Sequence, residues 1–321
     1  MAQPVPSDVH VDTLLTNLSI AYRNAGYIAP EMFPDAPVGK QSDKLPAYNQ
    51  SFWFRDDAKV RAPGTASTGG GFTVDTSATY FCNRYSRRFE VADELRSNAD
   101  PVFANLDGDA TEFVTDKLMM KREIQFATTF FTTSVWGTDV TGGTDFTQWS
   151  DYGGSNPVVD MDTWKDTVEA KIGIEPMKAA IGKQGWLQAK NHPALLDRIK
   201  YTQRAQVTAD QAASLFEIDR LLIGRSIYTT TIEGTAEGSV TYTRIWGKAL
   251  LLLYVTDRPS LLRPSAGYTF RWTPQDGGMG GGIVETYRED DRKSDRHEIQ
   301  FAFQHKVVSA ICGAFFSTVV S

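Results

Sequence analysis

The chain has 321 residues and a formal net charge of −6, with 41% hydrophobic and 22% charged residues. These proportions suit a folded protein with a sizeable core, and the acidic balance argues against a general nucleic-acid binder or a partner of anionic membranes. The two cysteines, Cys82 and Cys312, are far apart in sequence and form no disulfide framework, so we expect reduced thiols.

The N-terminal part of the chain predicts an arm rather than a folded unit. A short amphipathic segment runs from Asp12 to Asn24, and no basic region followed by an apolar run marks a signal peptide. Pro30, Pro34 and Pro37 then forbid a continuing helix. We therefore expect residues 31–42 to be extended.

A long hairpin arm is predicted next. Leu45 to Arg55 is rich in aromatic residues and suits a strand, as does part of Phe72 to Phe89. Between them, Ala62 to Gly71 consists of small residues and reads as a mobile tip. A two-stranded hairpin without its own core is marginal in water. It needs a surface to lie on, and another subunit is one candidate.

The clearest helix follows the hairpin arm. Apolar residues at helical spacing predict a helix from Ala110 to Phe131, about 33 Å long, with Asp109 as its cap. The segment from Gly137 to Asn156 is rich in Gly, Thr, Asp and Ser, and we expect an exposed loop there.

The next part of the chain alternates between helices and buried strands, which indicates an α/β unit. The predicted elements are the helices Asp160–Ile172, Pro193–Tyr201 and Thr208–Phe216 and the strands Leu221–Gly224 and Ala249–Val255. Further on, Gly277–Gly282 predicts a flexible loop and residues 289–296 a solvated charged turn. After that turn, residues 299–303 alternate apolar and polar side chains, which predicts a half-buried strand.

No pattern predicts an active site, a cofactor or a metal. The glycine runs at Gly69 and Gly277 precede strand-like segments, whereas a phosphate loop opens a helix. His297 and His305 are too far apart along one strand to share a metal ion, so we expect a structural or surface role. His192 precedes Pro193 and should lie at a helix start. We therefore predict that the chain is not an enzyme.

The arm and the strand after it supply candidate contacts between subunits. Arg84, Arg87 and Arg88 suit ion pairs with a neighbour's carboxylates better than DNA contacts, because the chain is acidic. The candidate contact residues are Tyr48, Phe52, Trp53, Phe54, Arg55, Arg84, Arg87 and Arg88.

Four stretches carry a resemblance to a known family. They are Tyr22–Gly64, Asn191–Thr202, Leu215–Gly224 and Trp246–Trp272. In this order, with an arm, a hairpin, a long helix and an α/β unit, they resemble the major capsid proteins of tailed bacteriophages with the Hong Kong phage-type fold. The resemblance implies an α+β fold in four parts: an N-terminal arm (1–38), a hairpin E-loop (39–90), a P-domain with a spine helix and return strands (91–156 and 286–308) and an α/β A-domain (157–285 and 309–321).

The resemblance also implies partners and a location. Copies of the chain should form pentamers and hexamers of an icosahedral shell around double-stranded DNA, held without sequence-specific binding. A portal and a decoration protein are implied partners, while a membrane is not. The residues before the hairpin look like the arm itself, so we expect a separate scaffolding protein. The implied location is the virion, assembled in the host bacterial cytoplasm.

Two alternatives remain open at this stage. An encapsulin-like compartment shares the fold but holds a protein cargo, and a soluble α/β hydrolase or transferase would be a small oligomer. A further expectation concerns the covalent linkage that some family members form between an arm Lys and a P-domain Asn. Lys44 and Lys59 are available on the arm, but no Asn occurs after Asn191, so we expect no linkage.

Overall fold

The computed structural model describes residues 26–45, 47–48, 50–71, 74–98, 106–200, 207–259, 263–275 and 282–321. Within them, helices and strands are mixed, which confirms the predicted α+β class. The helices are α1 (Ala29–Met32), α2 (Gln50–Trp53), α3 (Asp93–Asn98), α4 (Leu106–Phe130), α5 (Pro157–Ile172), α6 (Lys183–Lys190), α7 (Pro193–Ile199) and α8 (Ala209–Leu215). The predicted segment from Asp12 to Asn24 and most of the glycine loop at 277–282 lie outside the described residues.

The strands fall into two larger sheets and three two-stranded pairs. They are β1 (Asp35–Val38), β2 (Ser42–Lys44), β3 (Ala47–Tyr48), β4 (Val74–Asp75), β5 (Thr79–Phe81), β6 (Asn83–Ala92), β7 (Thr138–Thr141), β8 (Lys178–Gly182), β9 (Arg220–Gly224), β10 (Ile227–Thr229), β11 (Tyr242–Arg244), β12 (Leu250–Leu253), β13 (Gly267–Trp272), β14 (Ile283–Glu289), β15 (Ser294–Val307) and β16 (Gly313–Ser317).

The first sheet has the strand order β1-β13-β15-β14, and β6 also pairs with β15. Along β15, side chains alternate between the two faces, so Ile299, Phe301 and Phe303 are buried together with Val114 and Leu118 of α4. The predicted half-buried strand is thus confirmed, although it is longer than the pattern indicated. The other face of this sheet carries charged and amide side chains.

The predicted long helix is confirmed as α4, which spans 25 residues and about 37 Å. It begins at Leu106 rather than Ala110, so Asp109 lies within the first turn and the predicted cap is wrong. Because Asp107 and Asp109 both lie in the first turn, each can stabilise the positive end of the helix dipole without capping it.

The second sheet has the order β7-β16-β12-β8-β9 and holds the larger core. All four leucines of its central strand, Leu250–Leu253, are fully buried. Trp164 of α5 stacks on Phe316 of β16 with ring centroids 3.8 Å apart. The predicted α/β elements of this region are confirmed to within a few residues, and Thr208 caps α8 through a capping box.

The segment from Gly137 to Asn156 corrects one prediction. It contains β7, which pairs in parallel with β16, and Trp149, which is fully buried and donates to Asp160 Oδ2 at 2.8 Å. Residues 137–156 have the composition of a loop. A short edge strand such as β7 needs few apolar residues, because the neighbouring strand β16 provides the apolar core contacts.

The N-terminal and arm regions correct two more predictions. Residues 31–42 are not extended throughout, because Pro30 lies in the first turn of α1, where its missing N–H has no helical partner to lose. Leu45 to Arg55 is not one strand, since β3 is followed by the helix α2. The strand prediction relied on aromatic content, and aromatic residues are tolerated in a single helical turn.

The division into four parts stays a prediction. The strand pairing shows which residues of the predicted parts share a sheet. β7 pairs with β16, so residues 138–141 belong to the second sheet, while β13 pairs with β15, so residues 267–272 belong to the first. The chain therefore crosses between the two sheets more often than the four ranges imply.

Candidate functional site

The outer part of the hairpin arm extends from the body of the protein, and the described part of the chain leaves it exposed. Its base is formed by the antiparallel pairs β2–β5 and β3–β4. Beyond them, every residue from 54 to 71 is exposed, including Phe54 at 63% and Val60 completely. Thr65 hydrogen-bonds through its amide and hydroxyl groups to the Ala62 carbonyl, so the tip forms a turn. An exposed apolar residue on such an arm suits a contact with another molecule.

The root of the arm touches the end of α5. The Gln50 side chain donates to the Lys171 carbonyl, and the Phe54 ring packs beside Gly173, the left-handed residue that ends α5. A Cβ at Gly173 would lie 3.4 Å from the ring, and its φ of 70° already favours glycine. The root of the arm therefore contacts its own subunit through Gln50 and Phe54.

The candidate contact residues divide into groups. Tyr48 lies in β3, and Phe52 and Trp53 lie in α2, but the side chains of these three are outside what the structure describes. Phe54 and Arg55 are exposed at the start of the tip. The predicted aromatic residues and Arg55 thus belong to one segment of the arm, residues 48–55, and their contacts with a second subunit stay a prediction.

The structure separates the three arginines of β6. Arg84 and Arg88 lie on the outer face, where Arg84 donates to Gln300 and Arg88 lies 3.5 Å from Glu90. Arg87 projects from the opposite face of the strand, across from Ile299. Within the described ranges, no carboxylate lies at ion-pair distance from Arg87. Its predicted ion pair with a carboxylate of another subunit stays a prediction.

A buried carboxylate, which the sequence analysis missed, joins three parts of the chain. Glu123 of α4 is fully buried and accepts hydrogen bonds from the Ile28 amide at 3.0 Å, the Ala29 amide at 2.8 Å, the Ser226 hydroxyl at 3.1 Å and the Trp246 indole. Burial raises the pKa of Glu123, while these hydrogen bonds act to lower it. An acidic residue within the apolar stripe of a helix was the available signal.

A second buried connection lies next to the first. The Arg122 guanidinium pairs with Asp35 of β1, which also lies 3.3 Å from Arg271 Nε of β13. His305 contacts the Thr269 hydroxyl at 2.8 Å and the Arg122 carbonyl at 3.3 Å. Burial lowers the pKa of His305 to about 3, so the imidazole is neutral. His305 is thus buried inside the protein, and so is His297, which lies 2.9 Å from Asp107.

The contact between Ser155 and His192 is not arranged for nucleophilic catalysis. The Ser155 hydroxyl donates to the Asp151 carbonyl at 2.6 Å. His192 Nδ1 accepts from the Ala194 amide at 3.1 Å, which confirms the predicted position at a helix start. Nε2 must therefore carry the imidazole proton and donate to Ser155 Oγ, 3.1 Å away. A histidine in this tautomer cannot take the serine proton.

The first sheet contains one asparagine that the sequence argument on covalent linkage did not consider. β6 places Asn83 opposite Phe303 of β15, on an exposed position. The glutamates Glu285 and Glu298 face each other five residues farther along β15, about 16 Å away. β15 itself has no asparagine, as predicted, and in the described part of this sheet Asn83 has neither glutamate within reach to assist a linkage.

The chain is similar over nearly its full length to two curated proteins named major capsid protein. One, from Burkholderia phage BcepMu, is 25% identical over 289 residues and 88% of each chain. The other, from Pseudomonas phage JBD67, is 26% identical over 318 residues and 97% of each chain. No protein-family model matches the chain.

Solved structures share the fold. A phage-related protein from Bordetella bronchiseptica RB50 matches with a TM-score of 0.75 at 21% identity, over 97% of this chain and 98% of the other. The capsid of cyanophage P-SCSP1u matches with a TM-score of 0.55 at 11% identity, covering 99% and 92% of the two chains. The SrpI encapsulin from Synechococcus elongatus matches with a TM-score of 0.53 at 11% identity, covering 100% and 98%.

These comparisons confirm the resemblance to tailed-phage major capsid proteins and the capsid fold class. Across the part of the chain that the structure describes, no helix combines the length and apolarity needed to cross a bilayer.

Proposed function

We propose that this chain is a major capsid protein of a tailed phage, and that its copies associate into hexamers and pentamers of an icosahedral shell. The observation that carries the proposal is the similarity to two major capsid proteins over 88% and 97% of the chain. The fold shared with the capsid of cyanophage P-SCSP1u supports it independently of the sequence match.

The hairpin arm is the part that we assign to contacts between subunits. Residues 54–71 are exposed throughout, and burying Phe54 and Val60 against a neighbour would remove their apolar surface from water. We further propose the four-part division into arm, E-loop, P-domain and A-domain, with α4 as the spine, because α4 packs along β15 in the first sheet.

The remaining partners follow from the shell. Double-stranded DNA would fill it without sequence-specific binding, and the net charge of −6 favours a container that does not hold its genome tightly. A separate scaffolding protein, a portal and a decoration protein would act during assembly in the host cytoplasm, and the product is the virion.

The role is structural rather than enzymatic. The Ser155–His192 tautomer argues against a hydrolase, and the relatives are named for a capsid. An encapsulin-like compartment remains the second candidate, because the fold is shared with the SrpI encapsulin. The contents of purified particles separate the two, since a phage head holds DNA and an encapsulin holds protein.

Size-exclusion chromatography with light scattering tests the proposal. The 35.6 kDa chain, expressed with and without the proteins encoded beside it, should elute as rings or megadalton particles. A monomer or small oligomer under all of these conditions would contradict a shell role.

A further inference from the structure

A small hairpin on the α/β unit projects into solvent. Strands β10 and β11 are three residues each, and a two-stranded hairpin of this size is marginal without a partner. Ile232 near its tip is 84% exposed, and Tyr242 and Ile227 on its strands are 60% and 49% exposed. Hydrogen bonds from Thr235 to the Ile232 carbonyl give the tip a defined shape.

The charged residues of this hairpin are separated into an acidic tip and a cationic base. Between Arg225 and Arg244 the sequence contains two charged residues, Glu233 and Glu237, and both belong to the loop at the tip. Glu233 is exposed. The tip is therefore acidic and partly apolar, while arginines stand at both ends of the base.

A cluster of cations surrounds that base. β8 and β9 are parallel, and their last residues Gly182 and Gly224 are paired, so Lys183 and Arg225 leave the sheet at the same edge. Arg244 joins them, because it pairs with Ile227, two residues beyond Arg225. The pKa of Lys183 is lowered by burial and by repulsion from Arg225, Lys190 and Arg244.

Among the described residues, these cations are not paired with carboxylates. No carboxylate of the described residues lies within ion-pair distance of Lys183, Arg225 or Arg244. Glu123 lies nearby, but it is buried and already accepts hydrogen bonds from Ser226 and Trp246. A positive cluster that the described residues leave unpaired, on a chain of net charge −6, fits an acidic partner.

We infer that the acidic tip of the β10–β11 hairpin of one copy docks against the cationic base, formed by Lys183, Arg225 and Arg244, of the next copy. A tip cannot reach its own base, because the two lie at opposite ends of one hairpin. The contact is therefore head-to-tail, and repeated contacts of this kind close into rings when the rotation between copies allows it. The inference rests on the proposed shell function, which requires rings of five and six copies.

Phosphates of DNA are the competing partner for the same cations. The observations favour a second copy, because an exposed isoleucine and tyrosine lie on the same hairpin as the acidic residue. Nucleic-acid binding typically uses a wider basic face on a basic domain.

Charge reversal at each end of the contact tests the inference. Glu233→Lys and Arg225→Glu should each raise the protein concentration needed for half-maximal assembly by at least about tenfold, because like charges would then meet. The double variant carries the reversed pair on every copy and should recover most of the assembly. Glu175→Lys, which reverses another exposed carboxylate, should assemble like the wild type, and thermal unfolding should show that all variants are folded.

The outcomes separate the contact from the shell function. If the wild type assembles and both single variants assemble equally well, or if the double variant is no better than the worse single variant, the contact is wrong and the shell function stands. If Arg225→Glu abolishes binding of a DNA duplex but leaves assembly unchanged, the base binds phosphate instead, and the contact is again wrong. If the wild type never assembles, the shell function itself fails, and the contact fails with it.

Discussion

Removing the Glu123 carboxylate should destabilise the protein strongly. Glu123→Ala leaves four donors without their acceptor: the amides of Ile28 and Ala29, the Ser226 hydroxyl and the Trp246 indole. A buried donor without a partner costs about 1–3 kcal/mol, so the four together would cost at most about 4–12 kcal/mol. Relief of the cost of burying a carboxylate offsets part of this. We expect a loss of about 4 kcal/mol in the free energy of unfolding.

Glu123→Gln is the matched control for this change. The amide keeps the shape of the side chain and one acceptor oxygen, but its NH₂ group faces donors that need an acceptor. We expect a loss of about 1–3 kcal/mol, so stability should decrease in the order wild type, Gln, Ala. Because both variants remove the same charge, the difference between them reports on the remaining acceptor oxygen and on the cavity that Ala leaves.

Urea denaturation of the unassembled chain measures these stabilities, and hydrogen exchange measures the local effect. The amides of Ile28 and Ala29 should exchange faster in both variants, since Glu123 is the acceptor that protects them. An Ala variant within about 1 kcal/mol of the wild type, with unchanged exchange at these two amides, would refute the reasoning.

Three further predictions concern pH, the arm and covalent linkage. The pKa of His305 is lowered to about 3 in the folded protein, against about 6.5 in the unfolded chain. The free energy of unfolding should therefore decrease by up to about 1.4 kcal/mol per pH unit as the pH falls from about 6.5 towards 3. Urea denaturation at several pH values should show this slope in the wild type and a smaller one in His305→Gln; parallel curves would contradict it. Removing residues 57–69 deletes only exposed positions, so the unfolding free energy should change by about 0.5 kcal/mol or less while particle yield falls sharply; equal losses of both would count against a contact between subunits. Mature particles boiled in denaturant should run as one band near 35.6 kDa; a ladder of larger bands would disprove this.

The elements that could be predicted from the sequence are those whose residues alone carry a strong local signal. The periodicity of α4 and the four successive leucines of β12 are strong local signals, and both elements were found close to their predicted positions. The capping residue Thr208 and the helix start at His192 are equally local.

The parts that could not be predicted depend on contacts between distant residues. β7 is a strand because β16 pairs with it, and its own sequence resembles a loop. Glu123 is an acceptor for groups that lie about a hundred residues away in both directions along the chain. The cationic base of the β10–β11 hairpin similarly requires that β8 and β9 end at the same edge. A single sequence contains no direct signal for such long-range pairing.

The position of the hairpin arm in an assembled particle tests the central claim most directly. Electron cryo-microscopy of particles formed by this chain should show an icosahedral shell of hexamers and pentamers, with residues 54–71 lying across a neighbouring subunit. Particles without five-fold and six-fold arrangements, or a shell in which residues 54–71 contact only their own subunit, would contradict it.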